Sequence, residues 1–117
     1  MKLHNIVEAI GLKVFNPGVP NYGNIEISGG YASDLLSDVI AGLSKGDIWI
    51  TIQRHLNIIA VAKLKDAGAI LIAKGLEPDK NVIEKATEEG VILLGTNLTT
   101  FEAAGKLYNL LKYGEVR

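Results

Sequence analysis

Apolar and polar positions change period several times along the chain. Leu3, Ile6, Val7 and Ile10 fall at i, i+3, i+4 and i+7, one face of a short helix that Gly11 can close in the left-handed conformation. Lys13–Phe15 reads as a short strand, and the Pro/Gly/Asn-rich stretch 16–24 as a loop. From Ile25 onward a regular alternation sets in. Ile25-Glu26-Ile27 is expected to be a brief strand and Ser28-Gly29-Gly30 a turn. Leu35, Leu36, Val39, Ile40 and Leu43 mark a helical face over about 31–44. Ile48–Ile52 is a β-branched run too short for a helix. Residues 56–67 read as helix, 69–73 as a second buried strand, 79–89 as helix and 91–94 as a third strand. Thr99 and Glu102 have the spacing of a capping box at the start of a last helix, whose Phe101, Ala104, Tyr108 and Leu111 form one stripe.

Strand and helix alternating at this spacing predicts right-handed crossovers and a parallel sheet. Strands apolar along their whole length suit a sheet covered on both faces. The expected fold is therefore α/β: a three-layer-type parallel sheet with crossover helices, in a single compact domain over 1–117. Its core spans about 25–112, with the N-terminal helix and the Pro/Gly-rich loop in 1–24. Composition agrees, since 117 residues accommodate one domain and 48% apolar with 21% charged residues is ordinary globular usage.

Charge and composition narrow the function. The formal net charge is −1 and neither half has a basic excess, so nucleic acid is not an expected partner. The longest apolar run, Ala67–Ala73, falls far short of the roughly 20 residues that span a bilayer, so no membrane partner is expected either. Without cysteine there is no disulfide, thiolate metal site or thiol nucleophile, and with no basic-then-apolar leader a cytoplasmic location is the simplest expectation. No Walker loop, dinucleotide fingerprint or nucleophile elbow occurs, and His4 and His55 are too far apart in sequence for a short zinc motif. Neither a catalytic residue, a metal nor a cofactor is assigned.

Ligands of open parallel sheets bind beyond the carboxyl ends of the strands. Three such ends carry polar groups directly after an apolar strand: Gln53-Arg54-His55, Lys74-Gly75-Leu76-Glu77 and Thr96-Asn97 through Thr100. The set is rich in donors and poor in carboxylates, which suits an anion such as phosphate. Gln53, Arg54, Lys74, Gly75, Thr96 and Asn97 are the candidate ligand-binding residues. Gly75 also reads as a positive-φ position and Thr99 and Thr100 as helix caps. Trp49 is placed in the core by its position mid-strand. Asp34 and Asp38, four apart on the expected first crossover helix, read as an exposed polar stripe.

The order Gly46-Asp47-Ile48-Trp49-Ile50-Thr51, then Gln53-Arg54, then Ala69–Pro78 resembles the DRTGG domain, which accompanies CBS domains in regulated pyrophosphatases and precedes the catalytic part of some phosphotransacetylases. Gly75-Leu76-Glu77-Pro78 with the helix and strand after it is similar to the N-terminal domain of HPr kinase/phosphorylase. Gln53-Arg54 stands at the family's Asp-Arg position and Ala73-Lys74-Gly75 at its Thr-Gly-Gly, so the Arg and the last Gly are kept. The chain is also similar to small stand-alone members encoded beside iron hydrogenase genes. The resemblance implies a non-catalytic regulatory domain that pairs with itself as a homodimer or higher oligomer and senses a nucleotide-like ligand. Tyr31, Trp49, Tyr108 and Tyr113 are candidates for the apolar contact between copies. Two other readings stay open: an interaction module of a larger, hydrogenase-related enzyme system with no metabolite, and a small enzyme on acyl-phosphates with His55 as base.

Overall fold

The computed structural model describes residues 1–116. Helix α1 (Leu3–Ile10) and a two-residue strand β1 (Lys13–Val14) come first. Then follow β2 (Gly29–Ala32), α2 (Leu36–Gly42), β3 (Asp47–Thr51), α3 (Asn57–Lys65), β4 (Ala69–Ile72), α4 (Lys80–Glu89), β5 (Leu93–Gly95) and α5 (Thr100–Tyr113). The five strands form one sheet in the order β1-β5-β4-β3-β2, parallel except for β1, which runs antiparallel to β5.

Because β2 to β5 lie side by side in chain order, each right-handed crossover steps the same way. That puts α2, α3 and α4 on one face of the sheet. The other face is covered by α1 and α5. Successive strand residues divide between the two sides. Ile48, Ile50, Ala69, Leu71, Ile92 and Leu94 pack with Leu3, Ile6 and the buried side of α5. Trp49, Ile70, Ile72 and Leu93 pack against α2, α3 and α4. The single-domain α/β architecture with a sheet covered on both faces is thus the one the pattern predicts. Trp49 is fully buried, its indole N–H donating to the Ser33 carbonyl at 2.8 Å, so it belongs to the core and not to any contact between copies.

Several local expectations need correction. Ile25–Ile27 is not a sheet strand: it holds a single antiparallel bridge, Lys2 with Glu26. The strand starts instead at Gly29-Gly30, the expected turn, and the first crossover helix is correspondingly shorter than 31–44. The reason is contact. A Cβ on Gly30 would lie 2.8 Å from the Leu107 side chain of α5, so glycine lets the sheet edge pass beneath that helix without shifting it. Asp34 therefore precedes α2. Its carboxylate accepts from the Thr51 hydroxyl at 2.8 Å and the Ile52 N–H at 2.9 Å, while Asp38 accepts from the Tyr31 hydroxyl at 2.9 Å. That last bond, favouring the protonated phenol, raises the Tyr31 pKa. On α5 the inward residues are Ala103, Leu107 and Leu110, whereas Phe101 is 87% and Tyr108 57% exposed. The apolar stripe of the sequence lies one position off the buried one.

Asn16, a turn former in the sequence, is a buried tie. Its amide donates to the Val91 carbonyl at 2.8 Å and its oxygen accepts the Leu93 N–H at 2.9 Å, which anchors the end of β1 to the start of β5. Asn16→Ala orphans both backbone groups. A loss of about 2–4 kcal/mol is expected in urea unfolding, and a loss under about 0.5 kcal/mol would show the tie to be replaceable by water.

Candidate functional site

The carboxyl ends of β3, β4 and β5 open on one rim of the sheet. After β4 the chain turns through two consecutive left-handed residues, Lys74 (φ 64°) and Gly75 (φ 69°). The turn is bolted to the loop after β5: the Lys74 N–H donates to Leu98 O and the Gly75 N–H to Thr96 O, both at 2.8 Å, and the Thr96 N–H returns to Ile72 O at 3.1 Å. The Thr96 hydroxyl accepts the Leu98 N–H at 3.2 Å. A Cβ on Gly75 would sit 2.9 Å from the Asn97 side-chain oxygen, in a backbone conformation that already disfavours one. The rim is therefore a frame of backbone bonds from which side chains project.

The frame distributes the candidate residues unequally. Gly75, Thr96 and Asn97 line a small cavity of about 150 Å³ together with Lys13, Phe15 and Glu77. Arg54 reaches the same turn from β3, its guanidinium donating to the Glu77 carbonyl at 3.3 Å. Lys74 projects from the turn into solvent and does not line the cavity. Gln53 turns away, its amide donating to the Asp34 carbonyl at 2.9 Å, and so braces the loop before α2.

Sequence reasoning set Glu77 in a polar strand end without assigning it a ligand role, and did not bring Lys13 and Phe15 to the site. Lys13 arrives because β1 runs antiparallel to β5, which places its first residue opposite Gly95, at the strand's carboxyl end. Its ammonium lies 2.8 Å from the Glu77 carboxylate and 4.8 Å over the Phe15 ring. Nothing in the sequence tells that a two-residue strand pairs with the last one. The Lys13 ammonium holds the Glu77 carboxyl below its usual range, through the hydrogen bond first and through charge second. Lys13 and Arg54 thus meet the chain after β4 at Glu77, while Lys74 points from the turn into solvent. Such a rim can hold an anion by charge and amide donation. Among the described residues no three His, Asp or Glu gather closely enough to hold a metal ion.

At the foot of the rim, Thr99 caps α5. Its hydroxyl accepts the Glu102 N–H at 3.2 Å and the Glu102 carboxylate accepts the Thr99 N–H at 3.0 Å, the capping box expected from the spacing. The Thr99 backbone bond, followed by the hydroxyl, lowers the Glu102 pKa.

The fold and this rim define a small α/β domain with a cation-rich surface at its strand ends. Residues 31–110 match the DRTGG domain, and the chain belongs to that family. Its fold is similar to that in a crystal structure of the CBS and DRTGG domains of the regulatory region of Clostridium perfringens pyrophosphatase, complexed with its activator, diadenosine tetraphosphate. The likeness has a TM-score of 0.71 at 19% identity, over 88% of this chain. This chain spans 44% of that longer one. No curated protein matches the sequence.

Two outcomes follow from the rim. Lys74 occupies a left-handed position, which costs an L-residue about 1–2 kcal/mol, and glycine's extra chain entropy offsets only part of that. Lys74→Gly is therefore expected to raise the urea midpoint while removing a cation; a lowered midpoint would mean that the lysine side chain itself holds the turn. The Glu102 carboxyl, lowered in the folded state, stabilises at neutral pH. That contribution is lost as pH falls through the folded-state pKa, below the ordinary carboxylate range. Glu102→Gln should flatten this part of the stability–pH curve, and an unchanged curve would remove Glu102 from the acid response.

Proposed function

We propose that this chain is a non-catalytic regulatory domain that binds a phosphate-bearing, nucleotide-like small molecule at the carboxyl ends of its strands. The observation that carries the reading is the meeting of Lys13 and Arg54 at Glu77, one on its carboxylate and the other on its carbonyl, in a chain of the DRTGG family. Its structural neighbour, a regulatory region complexed with a dinucleotide activator, supports the same ligand class. Arg54 and Lys74 meet the phosphates by charge, Asn97 donates from its amide, and Thr96 and Gly75 keep the rim in place, with Gln53 bracing the β3 loop. An incoming phosphate competes with Glu77 for Lys13 and Arg54. The two states of the rim then differ in affinity for the ligand, which any ligand switch requires. The chain works as a homodimer or higher oligomer in the cytoplasm, and the signal passes to a partner enzyme.

A thermal-shift screen of nucleotides, dinucleoside polyphosphates and acyl-phosphates tests this on wild type and on Arg54→Ala/Lys74→Ala. A native-state ligand stabilises by about 2.7 kcal/mol at 100-fold excess over Kd, so a clear rise in Tm is expected in wild type and none in the double variant. A rise of equal size in both would move the ligand elsewhere. The second reading, an interaction module with no metabolite, is favoured by the bare apolar side chains Leu35, Leu64 and Phe101, 65%, 67% and 87% exposed. It takes precedence if no compound shifts Tm.

A further inference from the structure

The open edge of the sheet carries a second surface, apart from the rim. β2 is the last strand, and among the described residues no strand pairs with its outer side. A groove of about 530 Å³ runs alongside. Gly30 and Ala32 of β2 form its floor, Leu107, Tyr108 and Leu111 of α5 its wall, and Lys112 supplies its one charge. None of these residues lines the strand-end cavity.

Backbone direction makes the edge receptive. The Ser28 N–H donates inward to Gly46 O at 3.1 Å, whereas the Ile27 N–H donates outward to Met1 O at 2.9 Å. The Leu3 N–H meets Ile25 O at 2.9 Å on the same outer side. Met1–Leu3 thus already lie antiparallel along residues 25–27, and this pairing stops where β2 begins. Within β2 the phase is set by the Ser33 N–H, which donates inward to Ile50 O at 3.2 Å, so alternation turns the backbone groups of Gly30 and Ala32 to the outer side. The devices that blunt sheet edges, proline, lysine or a bulge, are absent from Gly29–Ala32.

We propose that this edge and groove bind an extended segment of a partner protein as an added antiparallel strand. The segment carries large apolar side chains at alternate positions, which fill the groove, and a carboxylate that meets Lys112. The dimensions of the floor decide against a second copy of β2. Antiparallel self-pairing would offer only Gly30 and Ala32 to the groove side, and these leave it empty. Lys112, 3.1 Å from the Tyr108 hydroxyl and 5.4 Å from its ring centroid, sets the charge that the segment must complement.

The test uses the full chain and a display library of short random peptides. Retained sequences should share large apolar residues two apart with an Asp or Glu. A synthetic peptide of that sequence, titrated by fluorescence polarisation, should lose about tenfold in affinity when N-methylated at alternate amides and little at the amides between. Ala32→Trp, at an exposed position that fills the groove, should abolish binding with the melting curve intact. No enrichment over a bare surface, N-methyl losses without a two-residue period, or binding unchanged in Ala32→Trp would each overturn the proposal. So would hydrogen exchange at Gly29–Ala32 that slows with protein concentration alone, which gives the edge to a second copy.

Discussion

The structure depends on a sheet whose strands are apolar on both faces. Ile48, Trp49 and Ile50 are each buried, as are Ala69 through Ile72, and successive residues face opposite ways. Neither face can remain in water, so each needs a layer of helices. Strands in chain order satisfy one face with three consecutive crossover helices. The second face is left to the two ends of the chain, and α1 and α5 supply it. The remaining features follow from that assignment: Gly30 is small because α5 must cross the edge strand, and β1 lies beside β5 because the chain leaving α1 emerges there.

The strand-end rim is a by-product of the same closure. The turn after β4 and the loop after β5 trade backbone hydrogen bonds, so their shape is set by the main chain and their side chains are free for other work. Lys74 is the residue at odds with local physics, since a position with φ 64° favours glycine. A cation held there against backbone preference suits a surface that meets anions. Glu77 keeps the cluster from being a bare positive patch: it neutralises Lys13 and, through its carbonyl, receives Arg54. These contacts tie β1, the loop after β3 and the turn after β4 to one another.

The two edges of the sheet differ in the same practical way. One is closed by the short β1, tied down by Asn16 through two buried bonds. The other carries Gly29-Gly30-Tyr31-Ala32 beside an apolar groove. The rim proposed for anions and the edge proposed for an extended chain sit on different elements of the fold.

Much of this was legible in the residues. The apolar runs at Ile48 and Ala69, the helical periods between them and the Thr99–Glu102 box determine a covered parallel sheet, because period and capping are local properties of the chain. The motif order around Gln53-Arg54 and Gly75 determines the family in the same way. Tertiary structure alone decided where Ile25–Ile27 and Gly29-Gly30 belong, since a glycine pair reads as a turn until the helix that crosses it is known. It alone buried Ala103 and Leu107 while leaving Phe101 and Tyr108 bare, a rotation set by what α5 packs on and not by its composition. It alone brought Lys13 and Phe15 to Glu77, for an antiparallel pairing between the first strand and the last is a contact of high sequence separation, and neither partner carries a local mark of it.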